Sequence, residues 1–471
     1  MKKYKNCIIF LADGARADVF ESLLDQGRLP NLKTYFLREG AYRRAVTSFP
    51  STTGPAHMAL LTGCYPGTCN VPGIRWFDRR AWANGHARTA GIRSYVGLES
   101  YLMNRDTDPA IGTLFERFER PVSIFSPFSK GVGFMGNRTI LARVFYWSIA
   151  HTMRYWRWVD RNSYKYLVDS LHLSPDFIFA VFPAIDTLSH RTHPFSGQVL
   201  TAYEKLDEMA GRVVGRLQSA GLLEDTLLIY VSDHGLTETH GHFDVATFLE
   251  DQQIPTFRHP LVFKRNFSAA VMVSGNGMAH IYLKNAHGWR ERTPYEEIAK
   301  EKRSLFDLLA ARQEVAWVAS RDRAGGIVVL SKRGRVRVSR DNGLIRYASE
   351  GDDPFHYGKL PHVFSEREAL ELTAESDYPD APVQLLQIFD SPRTGDLVIT
   401  ARKGFDLRLR WEVPEHLASH GSLIKEHMVV PFLMNHPIDH ERPIRTVDIF
   451  PTILKLMGKE YRGKIDGQSF L

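Results

Sequence analysis

Four short apolar runs, rich in β-branched and aromatic residues, punctuate the chain: CIIFLAD (7–13), DFIFAVFPAID (176–186), TLLIYVSD (226–233) and HMVVPFLMN (427–435). A run without polar alternation keeps both faces out of water, the pattern of a strand in a sheet covered by helices on both sides. Between the runs lie helical patterns such as Tyr203 to Leu217, whose apolar positions recur at intervals of three and four. Alternation of strand and helix predicts an α/β fold, a doubly wound, mostly parallel sheet with helices on both faces. Ligands of such sheets gather beyond the carboxyl ends of the strands, where Asp13, Asp186 and Asp233 are expected.

The runs are spread over almost the whole chain, so one core spanning residues 1–471 is expected, with the surplus length in insertions. Two segments fit the alternation poorly. Residues 75–174 carry a helical, aromatic- and arginine-rich stretch (144–161), although PVSIFSP (121–127) is a candidate further core strand. Residues 243–410 change to short alternating runs, AAVMVSG, AHIYLK, GGIVVLSKRGRVRVSR and DLVITARK, the pattern of a small α+β insertion. Both segments are expected to cap the site.

With 44% hydrophobic residues the chain has material for a large core, which excludes a mainly disordered or collagen-like protein. Lys+Arg 60 against Asp+Glu 53 is a mild excess that favours anionic ligands, with no specific nucleic-acid binding expected. Cys7, Cys64 and Cys69 show no CxxC spacing, which argues against a disulfide scaffold or a cysteine zinc site and for a reducing compartment. The first apolar run is cut by Asp13 and has no small-residue cleavage site, so it reads as a strand rather than a signal peptide. The longest membrane-span candidate, 139–159, is interrupted by Arg143, His151, Arg154 and Arg157. A cytoplasmic protein, soluble or peripheral at a membrane surface, is expected, and its oligomeric state is not legible.

The chemistry concentrates in Asp13, the pair Asp186 and His190, the adjacent Asp233 and His234, and His420 in ASHGS. Singly, each aspartate reads as a cap or turn residue and each histidine as an ordinary polar group. Together they are oxygen and imidazole ligands without thiolates, a set that suits two divalent metal ions, zinc above all. Two such ions can clamp the attacking and leaving oxygens of a phosphoryl transfer. A nucleophile is available in FPSTTGPAHMALLTG (49–63), where Pro55 suits an early helix position and leaves Thr53 beside the positive end of the helix dipole. A threonine hydroxyl needs a metal to lower its pKa, and the one held by Asp13, Asp233 and His234 would serve. The alternative is that Ser51, Thr52 and Thr53 merely cap the helix.

The segments LADGARADVF, PSTTGPAHMALLTGCYPG, PAIDTLSH, VSDHG, SHGS and VPFLMN…IRTVDIFPTILKLMG…IDGQSF resemble the alkaline phosphatase superfamily, and within it the type I phosphodiesterase/nucleotide pyrophosphatase group. The resemblance implies that Asp13, Asp233 and His234 hold one zinc, which also touches Thr53, and that Asp186, His190 and His420 hold the other. It further implies in-line attack by Thr53, a phospho-threonine intermediate and hydrolysis of that intermediate by water. The expected activity is hydrolysis of phosphodiester or pyrophosphate bonds in a phosphorylated small molecule or lipid headgroup. The alternatives are a phosphomonoesterase on the same site and a non-catalytic binding relative.

The chain departs from the group at one position: where its members have an asparagine that holds a phosphate oxygen, VPGIRWFDR places Ile74. The adjacent Arg75 is a candidate bidentate substitute that would favour a terminal phosphate; the other reading is an ordinary surface arginine. Sulfatases are argued against because Thr53-Gly-Pro-Ala-His57 lacks their Cys/Ser-x-Pro-x-Arg pattern, and phosphoglycerate mutase by the short middle of the chain. His240 and His242 read as outside the site and His193 as support behind it. The run from Phe145 to Arg161, with Trp147, Trp156 and Trp158, reads either as packing between cap and core or as an interfacial helix touching a membrane.

Overall fold

The apolar runs form the middle of a seven-stranded sheet whose order is Ile444–Arg445, Ala41–Val46, Val429–Met434, Thr226–Val231, Asn6–Ala12, Phe177–Phe182, Pro121–Ile124. In this computed structural model residues 2–85, 91–143, 145–146, 156–260, 266–300, 304–409 and 415–471 are described. Asn6–Ala12 pairs in parallel with both Phe177–Phe182 and Thr226–Val231, and Pro121–Ile124 continues the parallel half. Val429–Met434 runs antiparallel to both of its neighbours. Every residue of Phe177–Phe182, Thr226–Val231 and Val429–Met434 is buried, as runs without polar alternation require. The helices Trp156–Leu171 and Gly197–Ser219 bury apolar faces in the same core.

Two details differ from the sequence expectation. The run 176–186 is not one strand: the strand ends at Phe182, Pro183 intervenes, and Ala184–Arg191 is a helix that carries Asp186 in its first turn. Proline has no amide hydrogen to continue a ladder, so the chain leaves the sheet there. The strand Ala41–Val46 was not legible because Arg43 and Arg44 break its apolar character. Arg43 donates to the His440 carbonyl and Arg44 pairs with Glu21.

Residues 256–401 build a second sheet of nine strands, antiparallel except where Thr256–Arg258 joins Ala269–Ser274. Apolar clusters lie on its two faces, and the helix Ala381–Asp390 is buried from Ala381 to Phe389. That helix ties the second sheet to the first. Its Gln384 side chain accepts from the Phe49 amide (2.8 Å), Gln387 donates to the Phe49 carbonyl, and Asp380 at its start receives Arg445 through both carboxylate oxygens (2.7 and 2.8 Å). In 75–174, Arg75–Phe77 pairs antiparallel with Ile92–Ser94. Trp156 is buried and Trp158 packs on Tyr146 at 4.5 Å between rings, while Trp147 lies outside the described residues. No helix among the described residues is long and apolar enough to cross a membrane.

Arg445→Met leaves Asp380, fully buried, without its cation. Loss of one partner of a buried pair predicts destabilisation by about 3–5 kcal/mol, measured as a lower urea midpoint against the parent. A midpoint unchanged by the substitution would show that the pair does not hold the two sheets together.

Candidate functional site

The site assembles where the parallel strands end. Asp13 follows Asn6–Ala12, Asp233 and His234 follow Thr226–Val231, and Asp186 and His190 stand one turn apart on the short helix after Phe177–Phe182. The backbone itself draws these ends together: the Asp186 amide donates to the Asp13 carbonyl (3.0 Å), and the Gly14 amide donates to Asp233 Oδ1 (3.2 Å). Gly14 has φ +74°, and a Cβ there would stand 2.7 Å from Asp186 Cα, so only glycine allows this approach.

Two sets of three side chains result, each with one ligand atom per residue lying within 4.8 Å of the others: Asp13, Asp233 and His234; Asp186, His190 and His420. The three imidazoles share one device. Nδ1 of His234 faces the Gly235 carbonyl (3.3 Å), that of His190 the Ala418 carbonyl (2.7 Å) and that of His420 the Ser51 carbonyl (2.9 Å). A carbonyl only accepts, so each Nδ1 carries its hydrogen and each Nε2 turns inward with its lone pair, as metal-ligating histidines do. His190 Nε2 lies 3.4 Å from Asp186 Oδ1, and His234 Nε2 lies 3.6 Å from Asp13 Oδ1 and 3.5 Å from Asp233 Oδ2.

Thr53 is the first residue of the helix Thr53–Thr62, and its Oγ1 stands 3.2 Å from His234 Nε2. The capping alternative does not describe this segment. Ser51 Oγ donates to the Ser422 carbonyl, Thr52 makes no side-chain capping bond, and the Thr53 hydroxyl points at the first ligand set. Arg75 stands at the start of Arg75–Phe77 with Nε donating to Ser94 Oγ (3.3 Å), while its neighbour Ile74 lies near Gly54, a Cβ on which would be 3.8 Å from Ile74 Cγ2.

The electrostatics follow from packing three carboxylates together out of water. Burial, then the charges of Asp233 and Asp186, push Asp13 well above the usual carboxylate range. Burial also opposes ionisation of Asp186, but His190 and His420 outweigh it and hold that group low. Asp233 is likewise held down against burial by His234 and His57, and burial with His234 nearby drives His420 well below an ordinary imidazole. Asp13 Oδ1, Asp186 Oδ1 and Asp233 Oδ2 are buried with no hydrogen-bond partner. Each unmatched oxygen belongs to one of the two sets, so the donor sets fit divalent cations on charge and on valence.

Sequence reasoning left out three neighbours of these sets. His57, one helical turn after Thr53, is fully buried with Nε2 3.3 Å from Asp233 Oδ2; its i+4 spacing was the available signal. Asn276 and His416 come together from distant parts of the chain, Nδ2 to Nδ1 at 3.4 Å, and the His416 ring lies 4.5 Å from that of His190. No local pattern marks either residue. His242 is engaged by Asp406 and Glu415, and His193 faces Glu238 at 3.5 Å, so neither joins a ligand set.

The sequence pattern of the family described as "Type I phosphodiesterase / nucleotide pyrophosphatase" matches residues 7–423. A venom phosphodiesterase of Naja atra is 26% identical over 235 residues, 49% of this chain and 26% of that protein. GPI ethanolamine phosphate transferase 1 of Neurospora crassa is 22% identical over 256 residues, 50% of this chain and 24% of that protein. The chain thus matches about a quarter of the length of these curated relatives. Among solved structures, phosphonoacetate hydrolase from Sinorhizobium meliloti 1021 superposes with a TM-score of 0.58 at 16% identity, covering 97% of this chain and 96% of that one. Human ectonucleotide pyrophosphatase / phosphodiesterase 5 gives 0.61 at 12% identity, covering 98% and 97%. Both carry the same alkaline phosphatase-like architecture.

Asp233→Ala and His190→Ala are each expected to empty one ligand set, read by atomic absorption after dialysis against zinc; full occupancy in both variants would refute the assignment. His57→Phe, which removes the contact behind Asp233, is expected to weaken metal affinity about 10–100-fold, measured by competition with a chromophoric chelator.

Proposed function

The chain belongs to the type I phosphodiesterase / nucleotide pyrophosphatase family, and on that premise we propose that it hydrolyses phosphodiester or pyrophosphate bonds through Thr53 at a two-zinc site. The observation that carries this reading is the Thr53 hydroxyl 3.2 Å from His234, at the edge of two complete three-ligand sets. In the first step Thr53 Oγ1 attacks phosphorus opposite the leaving oxygen; the bond to Thr53 forms, the bond to the leaving group breaks, and the alcohol or phosphate departs. In the second, water breaks the bond from phosphorus to Thr53 and restores the hydroxyl. The amides of Thr53 and Gly54, which precede the first intrahelical bond from Ala56 to the Thr52 carbonyl, are donors for the phosphoryl oxygens. His57, with Nε2 3.3 Å from Asp233 Oδ2, positions that carboxylate. Asp13, Asp233 and His234 would hold one cation, and Asp186, His190 and His420 the other; when bound, these supply a lowered hydroxyl pKa and countercharge for the leaving oxygen.

The segment 243–410, which contains the second sheet, reads as a cap, and so does 75–174. The support is the turn after Ala269–Ser274, which packs against both Thr52 and His420. A phosphomonoesterase reading draws on Ile74, which cannot hydrogen-bond a nonbridging oxygen, and on its neighbour Arg75. The substrate class is a phosphorylated small molecule or lipid headgroup. A reducing, cytoplasmic location is supported by three cysteines that are buried and unpaired, and the half-buried Trp158 leaves room for contact with a membrane surface.

Thr53→Ala is expected to keep both metals and lose about 10³-fold or more in turnover, since a nucleophile and its activation act as a unit. The measurement is the zinc-loaded parent and variant on bis-(p-nitrophenyl) phosphate and p-nitrophenyl phosphate. Equal turnover by the variant would place the nucleophile elsewhere. Faster Thr53-dependent cleavage of the diester supports the main reading, and the reverse preference supports the monoesterase.

A further inference from the structure

The parallel strands carry the ligand sets at their carboxyl ends, and an unrelated cavity lies at their amino ends. Helix Gly197–Ser219 leaves the ligand-bearing end just after Ala184–Arg191 and returns the chain to the start of Thr226–Val231. Trp156–Leu171 likewise leads to the start of Phe177–Phe182. The last turns of both helices line an open cavity of about 740 Å³, a size that suits a small-molecule ligand. Its walls include Val168, Leu171, Leu217 and Leu222 together with Arg212 and Arg216. None of its lining residues belongs to either ligand set.

Two observations show that the protein does not fill or neutralise this space itself. Arg212 and Arg216 stand four residues apart on one helix, so their side chains leave the same face. Among the described residues neither side chain has an ion-pair or hydrogen-bond partner, and no aspartate or glutamate lines the cavity. Lys205, earlier on the same helix, is by contrast paired with Glu208. The second observation is Gly215, which lines the cavity between the two arginines in the helix interior, where glycine weakens a helix. Its backbone is not left-handed, so conformation does not require it. Gly211, one turn earlier, is explained by packing, since a Cβ there would stand 2.2 Å from Asn31 Oδ1. A Cβ on Gly215 would meet nothing within 4 Å.

We propose that this cavity binds a single-chain anionic amphiphile, a carboxylate or phosphate head on a hydrocarbon chain, with the head held by Arg212 and Arg216 and the chain against Val168, Leu171 and Leu217. Two like charges on one helix face repel, and an anion shared by them removes that repulsion. The guanidinium fork matches the oxygens of such a head in a bidentate fashion, and the aliphatic walls take the chain out of water. The exposed large apolar side chains at these helix ends are Leu173 (49%) and Leu222 (38%), too few to seat in a bilayer. The ligand is therefore a free monomer rather than a lipid in a membrane. Its cavity and Thr53 lie at opposite ends of the strands, so it is bound as a ligand distinct from the substrate.

The test is calorimetric titration of the zinc-loaded protein with decanoate, decanol and acetate, in saturating inorganic phosphate so that anions do not report on the metal site. Decanoate is expected to bind, decanol to bind about tenfold more weakly, and acetate not to bind, because the head and the chain each contribute. Arg212→Gln and Arg216→Gln are each expected to weaken decanoate about tenfold and to leave decanol unchanged. Gly215→Leu fills the open space, so it is expected to abolish binding of both while raising the melting temperature, since leucine is the better helix former. Metal content is expected to stay unchanged in all three variants. A parent that takes up no decanoate, or arginine variants that bind it as the parent does, would overturn the proposal. So would a Gly215→Leu protein that folds and still binds decanoate. A parent that ignores decanoate yet sediments with phosphatidylglycerol vesicles would also overturn it, because the arginines would then serve a membrane surface.

Discussion

Everything in this site depends on holding Asp13, Asp186 and Asp233 together in a buried space. Three carboxylates repel one another there, and burial weakens the screening between them, so the arrangement is expensive unless the backbone enforces it and positive charge answers it. The fold does the first through parallel strand ends linked by the Asp186 to Asp13 backbone bond and by the close approach at Gly14. The imidazoles answer in part, since His190, His420 and His234 are what hold Asp186 low. The oxygens left without partners are the remainder of the balance, and divalent cations are the natural answer to it. Each histidine is tied through Nδ1 to a carbonyl, which fixes the ring with its Nε2 lone pair facing the carboxylates.

Much of the fold was legible because burial on both faces writes itself into the sequence as uninterrupted apolar runs, and Asn6–Ala12, Phe177–Phe182, Thr226–Val231 and Val429–Met434 are such runs. What was not legible lay where side chains escape the sheet or the chain leaves it. Arg43 and Arg44 give Ala41–Val46 a polar look although its neighbours are strands on both sides. Asp186 looked like the end of a strand because the helix that carries it begins with Ala184 and Ile185, which extend the apolar pattern. The antiparallel sense of Val429–Met434 has no local signature, since pairing direction is decided by connections, not by composition.

The six candidate ligands stand out in the sequence because aspartate and histidine at strand ends are conspicuous against apolar runs, and Thr53 because proline and glycine mark a helix start. Asn276 and His416 do not, since they lie 140 residues apart in sequence and become neighbours only when the second sheet docks. His57 falls between: its spacing from Thr53 was visible, but its target, Asp233, was a tertiary fact. The question of Ser51, Thr52 and Thr53 as caps was settled by hydrogen-bond geometry that no sequence pattern encodes.

The turn Gly275–Gly277 bears on how a ligand reaches the site. Its backbone exchanges hydrogen bonds with His420, so movement of the second sheet is coupled to a member of the second candidate ligand set. The Gln384 and Gln387 bonds to Phe49 fasten the same sheet to the segment that leads into Thr53. A hinged lid needs a boundary with few cross-links, and here the boundary is stitched on both sides of Thr53. The flank around His190 and His416 is half-buried rather than sealed, so the cross-links that hold the second sheet leave that side of the two sets nearest to solvent.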